Sequence, residues 1–312
     1  MQPARRSGTR PRRRGPATLA LLLGVLIAAT ALVGCGGGDD QVKSSSSEPT
    51  PSTTEASAPG TTAGGTPSGT VAPDAAGTTL DVTLVRGEKV GTAHRRVAPT
   101  TAVGRAAMEQ LLAGPTPDEQ AAGLSSAIPA GTRLLGLSID GGTATVDLSN
   151  EFVSGGGSLS VRLRLAQVVY TLTQFGTVDD VAFRIDGKPT TVFTGDGVII
   201  PSPAGRNEFR DVTPLVFLES VAPGDIVSSP VKVAGDANTF EGTVRIKLVG
   251  ADGSVLADTF TTATSGSGTW GTFSKDVTFA KGTNTAGTVV VFWDSPKDGS
   301  PQDVTEVPVA FS

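Results

Sequence analysis

Few residues in this sequence have side chains suited to chemistry, and the most informative is a thiol. Cys35 is the single cysteine among 312 residues. It ends the stretch Leu32-Val33-Gly34-Cys35, after an apolar run from Ala17 to Val33. Upstream lie Arg5, Arg6, Arg10, Arg12, Arg13 and Arg14, with no acid among them. A positive head, an apolar middle and small residues before a cut make a secretory signal. Small residues just before a cysteine make it a lipoprotein signal, because sulfur is the nucleophile that takes up a diacylglyceryl group. Cleavage then leaves Cys35 as the lipidated N-terminus. The competing reading is an uncleaved anchor, and at about 17 residues the run is at the lower edge of what spans a bilayer. Arg13-Arg14 suggests twin-arginine export, but Gly15-Pro16 continues it poorly and favours the general secretory route.

The remaining candidates each have a plainer reading. His94 is the sole histidine, so a Ser-His-acid hydrolase would have to use it. It sits beside Arg95 and Arg96 in a polar stretch, no G-x-S-x-G elbow occurs, and it reads as a solvated loop residue. Asp147 and Glu151 are two carboxylates that glycosidic hydrolysis could use, but Asp-Leu-Ser-Asn-Glu between a strand and a helix reads as turn and capping chemistry. Asp294, Asp298 and Asp303 offer oxygen ligands for calcium, yet their spacing is not that of an EF-hand and Asp-Gly is first a turn. Trp270, Phe273, Phe292 and Trp293 are possible glycan contacts, Trp270 and Trp293 above all, against core or edge packing. No catalytic residue, metal or cofactor is expected.

Charge and composition narrow the partners. The chain has 25 basic and 30 acidic residues; without the six arginines of the head, 19 face 30, a net charge of −11. That excludes a nucleic-acid partner, which calls for a basic face, and a basic patch on anionic lipid. Membrane attachment rests on the lipid at Cys35. With that thiol used, neither a disulfide nor a cysteine zinc site can form. Abundant Gly and Pro with few aromatics suit turn-rich β structure.

The elements that must position these residues follow in order. Residues 1–34 are the signal, and residues 35–78 are the lipidated cysteine and a Ser/Thr/Pro/Gly linker. The linker has too little apolar surface to order itself, so it reads as a disordered tether. About 43 residues of coil have a root-mean-square span of roughly 35–40 Å. From Thr79, Leu80, Val82 and Leu84 alternate as a half-buried strand, and 86–99 reads as loop. Thr101 is placed to cap a helix to about Ala113, stopped by Gly114-Pro115. Thr116-Pro117-Asp118-Glu119 starts a short second helix. Strands over 133–139 and 143–148 flank an Asp140-Gly141-Gly142 turn. Ser158 or Ser160 caps the longest helix, whose Val161, Leu165, Val168, Val169 and Leu172 share a buried face with Arg162 and Arg164 off it. Val181, Phe183 and Ile185 form a strand, and 190–193 pairs back on it. The order β-α-β-β-α-β-β makes residues 79–195 an α+β domain with helices on a sheet.

The segments LLAGPTPDE, LLGLSIDGGTATVDLSNEF and VRLRLAQVVYTLTQF followed by VDDVAFRIDGK resemble the GerMN domain, named from sporulation and germination lipoproteins. The resemblance implies an extracytoplasmic domain, often on a lipoprotein, that serves assembly or interaction and has no catalytic centre. After a Gly/Pro-rich connector (196–212), residues 213–312 hold about seven short strands with frequent turns. Val244, Ile246 and Leu248 alternate there with Arg245 and Lys247. That pattern suggests an all-β immunoglobulin-like sandwich without an inter-sheet disulfide. VAPGDIVSSPVKVAGDANTFEGTVRIKLVGADGSVL, TWGTFSKDVTF and VVVFWDSPKDGS resemble the Gmad2 domain, the immunoglobulin-like partner that commonly follows GerMN. The expected whole is a non-enzymatic lipoprotein on the extracytoplasmic face of the cell membrane, an interaction or assembly module whose partner is an envelope protein. The alternative is a peptidoglycan- or glycan-binding module.

Overall fold

The structure, a computed structural model, describes residues 77–193 and 197–312. The signal, Cys35 and the linker as far as residue 76 lie outside the described residues. The Leu80, Val82, Leu84 alternation forms β1 (Thr78–Arg86), with all three side chains buried. The stretch expected as loop is instead β2 (Lys89–Val97), paired with β1 along its whole length through a turn at Gly87. Polar residues hide this strand from hydrophobic alternation, because its His94 and Arg95 are spent on carboxylates of the fold rather than on water.

Helix α1 (Val103–Leu112) buries Ala107, Met108 and Leu111. Its N-cap is Ala102, not Thr101, and Thr100 Oγ1 accepts from the Ala102 N–H instead. Helix α2 (Pro117–Ala121) carries a complete capping box between Thr116 and Glu119. A short β3 (Leu124–Ser125) then joins β1 on its other edge. Strands β4 (Leu134–Asp140) and β5 (Thr143–Leu148) form the expected hairpin, with Ala144, Val146 and Leu148 fully buried.

The crossover helix α3 (Ser158–Leu172) leads from β5 to the parallel β6 (Asp180–Ile185), and β7 (Lys188–Pro189) closes that sheet in the order β4-β5-β6-β7. Helix α3 starts at Gly157 without a side-chain cap, and Ser160 Oγ accepts from Arg164 instead. The helix is buried on nearly every side, not along one face. Arg164, expected outside, is 2% exposed and donates to the carbonyls of Phe152, Ser154 and Gly155. One core cluster spans both sheets, since α3 packs on β1 and β2 as well as on β6. Phe152, Phe183 and Phe193 meet in it at 5.5–6.4 Å between ring centroids. Burying such a ring contributes roughly 1.5–3 kcal/mol.

Of 190–193, only Thr190 returns to β6, its N–H donating to the Phe183 carbonyl at 3.0 Å. Lys188 and Pro189 pair with β6 just before it, while β8 (Val192–Phe193) pairs with β9 (Val198–Ile199). The segment expected as a bare connector then folds onto the first core. Ile200, Ala204, Phe209 and Val212 are buried there, the last two in a 3-10 helix, Arg206–Val212.

Eight strands complete the β-rich domain: β10 (Val216–Leu218), β11 (Ile226–Val227), β12 (Val231–Ala237), β13 (Thr243–Gly250), β14 (Val255–Thr262), β15 (Gly271–Val277), β16 (Ala286–Asp294) and β17 (Pro301–Phe311). They form two sheets, β10-β12-β15 and β11-β17-β16-β13-β14, closed on a core in which Val244, Ile246, Leu248, Val289 and Val291 are fully buried. Gly235 is required where β12 passes β10, because a Cβ there would lie 1.9 Å from the Phe217 carbonyl oxygen.

Candidate functional site

Strand β10 is buried on both faces, and its alternation serves two cores. Val216 and Leu218 belong to the core of the β-sandwich, whereas Phe217 belongs to that of the α+β domain. The Phe217 ring meets Tyr170 of α3 edge-on at 5.2 Å, and the Tyr170 hydroxyl shares a hydrogen bond with Thr213 Oγ1 at 2.7 Å. The two domains therefore meet along a packed seam.

Polar groups along the seam are matched in pairs. Thr92 Oγ1 donates to the Leu218 carbonyl at 3.0 Å. Arg206 stacks over Tyr170 and donates to Glu219 Oε1 at 2.8 Å. Arg210 donates to Asp236 Oδ2 at 2.8 Å and covers the Trp270 ring at 4.4 Å. A 3-10 turn thus sets two guanidinium groups four residues apart onto two acids of the β-sandwich.

His94 completes the seam. Its Nδ1 lies 2.8 Å from Asp225 Oδ2, and its Nε2 lies 2.9 Å from the Glu219 carbonyl and 3.4 Å from Asp81 Oδ1. The expected solvated loop residue is a strand residue whose side chain is only 15% exposed. Burial disfavours its charge, but the hydrogen bond and field of Asp225, with Asp81 and the Glu219 carbonyl, outweigh it and raise its pKa. Burial also raises the carboxyls of Asp81, partly offset by His94, and of Glu219, partly offset by Arg206.

Beside the seam lies a crevice of about 270 Å³ between the β1–β2 turn and strands β10 and β17. Val216, Val221, Val304 and Val307 give it apolar walls, and Arg86 and Lys89 stand at its edge. Arg86 donates to the Ala122 carbonyl and Lys89 to the Asp211 carbonyl. Neither has a carboxylate in ion-pair range among the described residues. Burial holds the Arg86 guanidinium below its ordinary value.

The other sequence candidates are dispersed. Asp147 Oδ1 accepts from the Gly187 N–H at 2.9 Å, while Glu151 lies 3.9 Å from Arg133. Asp294 pairs with Arg245, Asp298 accepts from Ser300, and Asp303 accepts from the Leu215 N–H. No group of three possible metal ligands occurs among the described residues. The four aromatic residues belong to different surfaces. Phe273 is buried in the sandwich core, Trp293 packs against it, Phe292 is buried beneath Arg245 and Lys247, and the half-buried Trp270 lies under Arg210. Sequence reading missed Thr92, Arg206, Arg210, Glu219, Asp225 and Asp236. The one local signal was the Arg206/Arg210 spacing, since the acids they meet are 13 and 26 residues away.

A family profile described as Germane, sporulation and spore germination, matches residues 71–191. A second, Gmad2, described as an immunoglobulin-like domain of bacterial spore germination, matches residues 215–300. Among solved structures, the tandem GerMN domains of the sporulation protein GerM from Bacillus subtilis match with 17% identity and a TM-score of 0.37, over 65% of this chain and 62% of that one. The first GerMN domain of the same protein matches with 22% identity and a TM-score of 0.34, over 42% of this chain and 98% of that one. A putative lipoprotein from Clostridium perfringens matches with 19% identity and a TM-score of 0.32, over 46% and 98%. No curated protein sequence matches.

Proposed function

We propose that this chain, a Germane (GerMN) domain followed by a Gmad2 immunoglobulin-like domain, is a lipid-anchored, non-enzymatic protein of the extracytoplasmic membrane face whose two domains act as one rigid binding body in assembling an envelope complex. The observation that carries this reading is the seam. A strand shared between two cores and three charge-matched pairs hold the domains in fixed register, as presentation of a composite surface requires. The family descriptions associate both domains with sporulation or germination and name no reaction. A role in that process is the corresponding biological setting. The ionisable groups of the seam are each engaged by another group of the fold, which supports a structural rather than catalytic use. A glycan platform needs a ring face open to solvent, and the cover over Trp270 and the packing of Trp293 favour a protein partner.

Anchoring rests on the arginine head, the apolar run and Cys35. Among the described residues no helix is long and apolar enough to cross a membrane. Replacing Cys35→Ala is expected to leave an unprocessed precursor or release the protein from membranes on fractionation. A variant that matures and stays membrane-bound sinks the anchor. In-cell crosslinking of the full chain is expected to trap a discrete envelope protein. Saturable pelleting with purified sacculi and no crosslinked protein would instead establish the glycan reading.

A further inference from the structure

The crevice beside the seam extends the assembly reading, on which it rests, by specifying the partner's chemistry. Three features converge there. Its walls are apolar, and Val304 is 49% exposed within it. Its edge carries Arg86 and Lys89, which face each other as a cross-strand pair and bind backbone carbonyls, in a chain of net negative charge. The outer edge of β17 is also open beside it.

That edge can be read residue by residue. Strand β17 meets β11 only at Ala310 and Phe311. The Ala310 N–H donates to the Asp225 carbonyl, and the Pro308 carbonyl accepts from the Gly224 N–H. Alternation in an antiparallel strand then turns the backbone of Glu306 to the same side, where no described residue pairs with it. Unpaired strand edges accept an added strand.

We propose that this crevice binds an extended, acidic–apolar peptide segment of an envelope protein. The segment's backbone adds to β17 at Glu306, an apolar side chain packs on Val304, and a carboxylate rests on Arg86 and Lys89. Asp303 also lines the crevice and disfavours a second acid beside it. A lipid tail would satisfy the apolar wall but not the strand edge.

The test is selection of displayed random peptides on the full-length chain in detergent micelles, followed by affinity measurement with labelled synthetic copies. Enriched sequences are expected to place Asp or Glu within two or three residues of an apolar anchor. Their affinity is expected to fall about tenfold or more in Arg86→Glu, Lys89→Glu and the crevice-filling Val304→Trp. The two charge reversals lie at the crevice edge and keep the test meaningful if Val304→Trp misfolds. Acid-free winners, or winners indifferent to Arg86→Glu and Lys89→Glu, overturn the proposal. So does oleate binding that depends on the same residues while no peptide does. If in-cell crosslinking still traps the same protein in both charge-reversal variants, the crevice proposal falls and the assembly reading stands.

Discussion

Both ring nitrogens of His94 face acceptors, so the imidazole satisfies them only when both carry hydrogen, that is, as a cation. The groups around it are Asp81 from β1, Asp225 and the Glu219 carbonyl from the β-sandwich, and Arg206 beyond Glu219. A histidine whose folded pKa is raised binds its proton more tightly in the native state. Its stabilisation is full below the unfolded value of about 6.5 and is lost as pH rises through the folded value. The raised carboxyls of Asp81 and Glu219 act in the same direction from about pH 4 upward, since each is held protonated longer in the fold. The melting temperature is therefore expected to fall as pH rises above about 6.5, the ordinary histidine value, and this loss levels off once the raised value of His94 is passed. His94→Gln keeps hydrogen-bonding capacity without the charge and should flatten that slope. An unchanged slope in the variant removes His94 as its source. None of this was visible in the sequence, because the Asp225 that fixes the charge lies 131 residues away and the strand carrying His94 was masked by its own polarity.

Local signals were legible where the structure is local. The capping box of α2 closes between residues three apart, as the wording Thr-Pro-Asp-Glu predicts, and the β4–β5 hairpin follows from its Gly-Gly turn. Strand β2 and the burial of α3 were not legible, because both depend on groups distant in sequence. Helix α2 shows the two levels in one residue. Glu119 caps its own helix and also takes two hydrogen bonds from Arg95 of β2. Burial opposes its charge, but Arg95 and the Thr116 N–H outweigh burial and hold the carboxyl below its ordinary value. Its contribution is present at neutral pH and is lost as pH falls through the depressed value. Thr116→Ala is expected to cost about 1 kcal/mol in denaturant unfolding, the loss of a cap. Glu119→Ala is expected to cost about 3–5 kcal/mol, because it also leaves Arg95, only 10% exposed, without its carboxylate. Equal costs for the two would mean that the Arg95 pair adds nothing to the cap.

At the scale of the molecule, the question is whether two families of domain behave as one body. The connector read from composition over 196–212 holds the answer, since Phe209 and Val212 pack in the α+β core while Arg206 and Arg210 reach the β-sandwich. Pulling the domains apart would expose Phe217 and strand two guanidinium groups and three acids, so neither domain can unfold without disturbing the other. Differential scanning calorimetry of the full chain is expected to show one cooperative transition. Arg206→Ala with Arg210→Ala removes both cations from partly buried acids, at about 1–3 kcal/mol apiece given their partial exposure. With only β10 and the His94 contact left, the transition should split, because coupling weaker than the stability difference between the domains lets the weaker one melt first. Two transitions in the unaltered chain would mean that the domains are tethered neighbours, and the crevice between the β1–β2 turn and β17 would then lack the fixed walls that a docking segment needs. One transition, unmoved by the double substitution, would place the coupling in the shared strand, making Phe217→Ala the change that separates them.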